Sequence, residues 1–272
     1  MTPSTPERRV LVALEAGRPG LDALAAAATL AARLGAHLEA LLVEDPDLLR
    51  AASLPAAFQL AAPSGAPRPV DRDAIEAELR AVAARAREAL AAAVRPLGLS
   101  SSFAVARGEP WREVVEAARR ADLVVLVDRG PAGRGPAVLP RVAALARSSV
   151  LVLRRGAAVG ARLVVAHDGS PASDRALDLA AALAGTAARL ALLVLAASPE
   201  EARRITRSAR LRLGRAEEIP STWTGGLGRE RLLRAAPRHG TLLVLAAEGS
   251  RRDLGALEDL VQEIGDSILL AR

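Results

Sequence analysis

The chain has 272 residues, 51% of them apolar, and a formal net charge of +6. That length suits one large domain or two small ones, and the apolar share is enough for a substantial core. The absence of cysteine excludes a disulfide framework, a thiolate metal site and a Cys nucleophile, and no run reaches the roughly 18 uninterrupted apolar residues of a membrane helix.

The first nine residues lack the apolar stretch of a signal peptide, which together with the missing cysteine reads as a cytoplasmic protein without a membrane partner. Every basic residue apart from the three histidines is Arg, while Lys, Asn and Tyr are missing. Those residues share A/T-rich codons, so coding composition accounts for the arginines, which are not by themselves a phosphate signature. The charge is modest for the length and is not gathered into a basic tail.

In chain order, short apolar runs predict strands at 10–14, 38–43, 103–106, 123–127 and 150–153. Helical periodicity lies between them at 21–34, 73–94, 111–120 and 137–146, with Pro110 as a normal first-turn proline. The strands are continuous rather than alternating, the mark of parallel strands covered on both faces. Residues 44–72, rich in Ala, Pro and Ser, read as an irregular inserted loop with Leu48, Leu49, Leu54, Phe58 and Leu60 as apolar anchors. After a Gly-containing linker at 155–160 the pattern starts again. A strand near 163–167 leads to a helix at 173–184, a strand at 189–196 and a helix at 199–213, and the copy ends in strands near 242–246 and 268–271.

The two copies match at both ends. Arg9-Val-Leu-Val-Ala-Leu-Glu-Ala-Gly17 aligns with Arg162-Leu-Val-Val-Ala-His-Asp-Gly-Ser170. Ala121-Asp-Leu-Val-Val-Leu-Val-Asp-Arg-Gly130 aligns with Gly240-Thr-Leu-Leu-Val-Leu-Ala-Ala-Glu-Gly249, and Ser149-Val-Leu-Val-Leu-Arg154 with Ser267-Ile-Leu-Leu-Ala-Arg272. The expected architecture is therefore α/β: two doubly wound parallel-sheet domains in tandem, Rossmann-like or flavodoxin-like, at 1–155 and 160–272.

Val164-Val-Ala-His-Asp-Gly-Ser-Pro-Ala-Ser-Asp-Arg-Ala-Leu177 resembles the opening of a universal stress protein domain, in which a strand ends in Asp-Gly-Ser before a helix. Gly108-Glu-Pro-Trp-Arg-Glu-Val-Val-Glu-Ala-Ala118, running into the strand at 123–127, resembles that family's third helix and fourth strand. The resemblance covers nearly the whole chain twice, residues 44–72 excepted. It implies a stress-response module, a pseudo-dimer within the chain in which the final strands meet, and an adenine-nucleotide site after the fourth strand. That site carries the phosphate loop Gly-x2-Gly-x9-Gly-Ser/Thr, whose glycines let backbone N–H groups approach the phosphates. The carboxylate after the first strand, Glu15 or Asp168, is assigned to the nucleoside.

Both copies depart from the pattern. The first keeps Gly130 and Gly133 but has Pro136 and Ala137 where the last Gly and the hydroxyl belong, and Glu15 in place of Asp. The second keeps Asp168, Gly169 and Ser170, but the loop from Gly249 to Gly255 lacks the spacing and carries Asp253. ATP or AMP is therefore admitted as a ligand but not required, and weak or lost nucleotide binding is expected.

Other residue groups invite different chemistry. His167, Asp168 and Ser170 hint at a hydrolase, yet neighbours on a strand point to opposite faces, and no Gly-x-Ser-x-Gly elbow is present. The histidines His37, His167 and His239 have no metal-ligand spacing. Arg203, Arg204, Arg207, Arg210, Arg212 and Arg215 cluster on and after one helix, with Arg203, Arg207 and Arg210 on one face. A solvated helix balanced by Glu200, Glu201, Glu217 and Glu218 is favoured over an anion or nucleic-acid surface. Trp111 and Trp223 are read as packing residues or cleft edges. The favoured function is a non-catalytic regulatory module with an unidentified protein partner and without a catalytic or metal site. The alternatives are an ATP-binding switch or slow ATPase, and anion or nucleic-acid binding through the Arg-rich helix. A homodimer is left open.

Overall fold

Consecutive β-branched and apolar residues make a strand that is stable only when both of its faces are covered. The computed structural model describes residues 8–16, 20–52, 58–61, 66–128, 141–142, 145–154, 162–185, 189–214, 219–225, 241–247 and 266–272. In the first half these form β1 (Arg9–Glu15), α1 (Asp22–Leu34), β2 (His37–Glu44), α2 (Pro46–Ala52), β3 (Phe58–Ala61), β4 (Ala66–Pro69), α3 (Arg72–Val94), β5 (Ser101–Arg107), α4 (Pro110–Ala118), β6 (Leu123–Asp128) and β7 (Ser149–Arg154). The second half holds β8 (Arg162–His167), α5 (Pro171–Ala184), β9 (Arg189–Val194), α6 (Pro199–Arg212), β10 (Ser221–Trp223), β11 (Thr241–Ala246) and β12 (Ser267–Ala271).

Ten strands make one sheet in the order β10-β9-β8-β11-β12-β7-β6-β1-β2-β5. Each half repeats the same five-strand order, third, second, first, fourth, fifth, with parallel neighbours throughout. That is the Rossmann-like order rather than the flavodoxin-like one. The halves meet where the resemblance put the contact: β7 and β12 pair antiparallel, with Leu151 opposite Leu269. Reciprocal hydrogen bonds flank the seam. The Arg154 amide donates to Ser267 Oγ at 3.1 Å, and the Arg272 amide to Ser149 Oγ at 3.2 Å. Beside it Arg33 of α1 donates to the Leu183 carbonyl of α5 at 2.7 Å.

α1, α3, α5 and α6 contribute to the core on one sheet face, and α4 to the core on the other. Small and branched residues at helical spacing drive this. Ala23, Leu24, Ala27, Leu30 and Ala31 of α1 are buried, and so are Ala176, Leu177, Ala180, Leu183 and Ala184 at the matching positions of α5. α1 stops at Gly35, whose left-handed backbone (φ 59°) only glycine adopts without strain. α5 and α6 both start on a Ser-Pro pair: Ser170 and Ser198 accept N–H bonds from Ser173 and Glu201, and the proline fills the first helical position.

Two expectations are corrected. The stretch 44–72 is not irregular throughout, since it contains α2 and an antiparallel pairing of β3 with β4. Pro67 and Pro69 obscured the hairpin, but in a two-stranded sheet both strands are edges, where a missing N–H need not break a ladder. The second half also has a short edge strand, β10, hidden in sequence because it is only three residues long and exposed throughout. The predicted helix at 137–146 lies largely outside the described residues.

Candidate functional site

In an open α/β sheet a ligand lodges beyond the carboxyl ends of the strands, where the strand order reverses. That point lies between β1 and β6 in the first half and between β8 and β11 in the second. Glu15 ends β1 and Asp168 follows β8, so the two carboxylates predicted for a nucleoside occupy equivalent places, one in each half. Asp168, Gly169 and Ser170 come together as one turn. Asp168 Oδ1 accepts the Ser170 amide at 2.9 Å. Gly169 has φ 81°, and a Cβ there would lie 3.0 Å from the Ile205 side chain of α6. Burial would raise the Asp168 carboxyl, but hydrogen bonds from Ser170, through hydroxyl and amide, and from Ser173 outweigh it and hold the group below its ordinary value. Gly130, Gly133, Pro136, Ala137 and Gly249 lie outside the described residues.

Behind the turn, sequence reasoning missed a network. His167 is buried at the end of β8. Its Nδ1 accepts the Gly169 N–H at 3.1 Å, which puts the proton on Nε2, and Nε2 donates to Asp174 Oδ1 at 3.2 Å. Asp174 also faces Arg212 of α6, whose guanidinium grips Asp178 with two bonds of 2.8 and 2.7 Å. A chain of polar contacts therefore runs from the sheet through α5 to the C-terminal turn of α6. Burial lowers the His167 pKa below its ordinary value, against the raising effect of Asp174. The available signal was the spacing of Asp174 and Asp178, four apart on one face of α5 and one helical turn beyond Ser170.

Ser173, His167 and Asp174 stand in the contact order of a hydrolytic triad, but the geometry is wrong for one. Ser173 Oγ lies 3.5 Å from His167 Nδ1 and donates instead to the Ser170 carbonyl at 2.8 Å. The nitrogen that would take its proton already accepts a backbone N–H, and Ser173 is only 1% exposed. His37 ties β2 to β5 through Ser100 and Ser102. Among the described residues no group of His, Asp and Glu is arranged to hold a metal ion.

The first half is fastened differently. Glu44, buried at the end of β2, meets Arg107 of the edge strand β5 at 2.6 Å. The guanidiniums of Arg112 and Arg141 lie over the Trp111 ring, 5.2 and 4.8 Å from its centre. On α6, Arg203 and Arg204 pair with Glu200 and Glu201 as the counter-charge reading expected. Arg207 and Arg210 have no carboxylate partner among the described residues.

Comparison with known proteins fits this arrangement of two Rossmann-like halves. No family model matches the sequence, and no curated protein does. Among solved structures, a universal stress protein from Archaeoglobus fulgidus DSM 4304 is similar over 96% of this chain and 96% of its own, at 14% identity and a TM-score of 0.59. A protein of unknown function from Pseudomonas aeruginosa PAO1 is similar over 97% of this chain and 92% of its own, at 17% identity and a TM-score of 0.55. The class is α/β with two doubly wound halves sharing a sheet. The particular fold is that of the universal stress proteins.

Proposed function

We propose that this chain is a non-catalytic regulatory module of the universal stress protein type, acting in the cytoplasm through a protein partner, with adenine-nucleotide binding weak and confined to the second half. The observation that carries this reading is the Asp168–Gly169–Ser170 turn at the switch point between β8 and β11. It keeps an exposed carboxylate at the sheet edge, where the resemblance assigns it to the nucleoside. The residues behind it form a locked packing network instead of an activated nucleophile. In the first half Glu15 takes the place of Asp, and the proposed phosphate loop carries Pro136, which has no N–H to offer.

Calorimetric titration of the nucleotide-stripped protein with ATP and AMP tests this reading. Binding in the millimolar range is expected, about 4 kcal/mol, lost in Asp168→Ala and kept in Glu15→Ala. Micromolar binding, or phosphate release from ATP above the buffer rate, would instead establish a nucleotide switch or a slow ATPase.

A further inference from the structure

The second half carries an open cleft away from the switch point, on the outer flank of the sheet between α6 and β10. It has a volume of about 770 Å3 and is lined by Val194, Arg203, Thr206, Arg207, Arg210 and Trp223 among others. Its construction follows from the register. Trp223 pairs with Val194 and Ser221 with Leu192, so Ser221 and Trp223 point to the sheet face that α6 covers. β10 is the last strand of the sheet on this side, and among the described residues no further strand pairs with its outer side.

Three features of this cleft suit one kind of ligand. Trp223 is held rigid by its indole N–H, which donates to the Ala196 carbonyl at 2.9 Å, while the residue stays 42% exposed. Phe103 and Trp111 each carry an Arg guanidinium about 5 Å from the ring. Trp223 has none among the described residues, although three arginines line the same space. Arg210 donates through Nη2 to the Ile219 carbonyl at 3.3 Å, and neither it nor Arg207 has a carboxylate partner among the described residues. Guanidiniums that line a cleft without a carboxylate to neutralise them suit an anionic ligand, which can take charge-assisted hydrogen bonds from their exposed N–H groups. Because Arg203, Arg207 and Arg210 follow one another along a single helix face, their charges converge on the cleft beside an aromatic wall.

We propose that the cleft between α6 and β10 is a binding site for a small amphipathic anion: a flat apolar body stacked on Trp223, with its anionic head taken by Arg207 and Arg210. The volume matches a small-molecule pocket, and the three-residue length of β10 disfavours an added peptide strand. The site is separate from the Asp168 turn and does not depend on the nucleotide reading.

The test uses the full chain and isothermal calorimetry, with naphthyl phosphate and 2-naphthoate as probes and neutral naphthol as the control. Saturable one-to-one binding of at least one anion is expected, with naphthol weaker by about tenfold or more, the range of a charge-assisted hydrogen bond. Arg207→Gln should weaken the anion about tenfold, Arg207→Lys should restore part of the loss, and Trp223→Leu should weaken anion and naphthol alike. Asp168→Ala should change nothing. Arg207 is exposed and has no carboxylate partner among the described residues, so its variants keep the test decisive if Trp223→Leu fails to fold. No binding of either anion, equal binding of naphthol, an unchanged affinity in Arg207→Gln, or loss of binding in Asp168→Ala would each overturn the proposal.

Discussion

The two flanks of the sheet solve the same problem with different parts. In the first half the edge strand β5 is seven residues long and packs with a 23-residue helix, α3, whose Arg87 lies 4.8 Å over the Phe103 ring. In the second half the edge strand has three residues, its helix fourteen, and the Trp223 ring faces a cleft. By register Ala196 stands where Glu44 stands, and Trp223 where Val105 does. The edge strand is tied to its neighbour by an ion pair in one half and by an indole hydrogen bond in the other. The repeated strand order therefore fixes the scaffold, while the covering of the flank decides which half has room for a ligand.

The comparison holds only if the interiors are as equivalent as they look. Leu24 and Leu177 occupy matching positions on α1 and α5, and both are fully buried. Truncating either to Ala removes the same apolar surface and leaves a similar cavity. Each variant should lose about 3 kcal/mol in urea unfolding. A much smaller loss for one would show that its half relaxes into the cavity and that the two cores are not equivalent.

That equivalence was largely legible in sequence. The Ala/Leu spacing of the first helices and the continuous apolar strands follow from local periodicity, which survives without knowledge of partners. The seam was expected from the family resemblance, in which the final strands meet; the repeat of Ser149 to Arg154 in Ser267 to Arg272 showed only that each copy has such a strand. What stayed hidden depends on long-range packing. Asp174 meets His167 only once α5 folds back on β8, and Trp223 meets Ala196 only once β10 joins β9. β10 itself has no apolar pattern because an exposed edge needs none. The insertion was misread because its Ala and Pro content conceals pairing that a hairpin needs only from its backbone.

His167 is one place where the halves differ inside the core, since Leu14 occupies its place in β1. The buried imidazole faces Asp174, Asp168 and the Gly169 amide, with Arg212 beyond, and its pKa is lowered below the ordinary value near 6.5. The unfolded chain therefore binds the proton more readily than the folded one. Stability falls as pH drops below about 6.5 and stops falling on this account once pH passes below the folded pKa. One proton sets a ceiling of about 1.4 kcal/mol per pH unit, hence up to about 2 kcal/mol between pH 6.5 and 5. His167→Leu, which copies the first half, should flatten that part of the urea-midpoint profile. A profile equally steep in the variant would place the acid sensitivity in other groups.

The smallest expected effect tests the two fastenings directly. Arg107→Met leaves the Glu44 carboxylate buried without its partner, a severe penalty in a dry core. Here the arginine is 64% exposed, and water can approach from its side. The loss should therefore be small and confined to low salt. Trp223→Phe keeps most of the ring but deletes the indole N–H to Ala196, and should cost about 1 kcal/mol. Salt separates them. The cost of Arg107→Met should shrink toward zero at 1 M NaCl, because the attraction it removes is screened, whereas that of Trp223→Phe should not change, because no charge is involved. If both costs are independent of salt, the Glu44–Arg107 contact acts as packing instead of charge, and the flanks differ only in how much helix covers them.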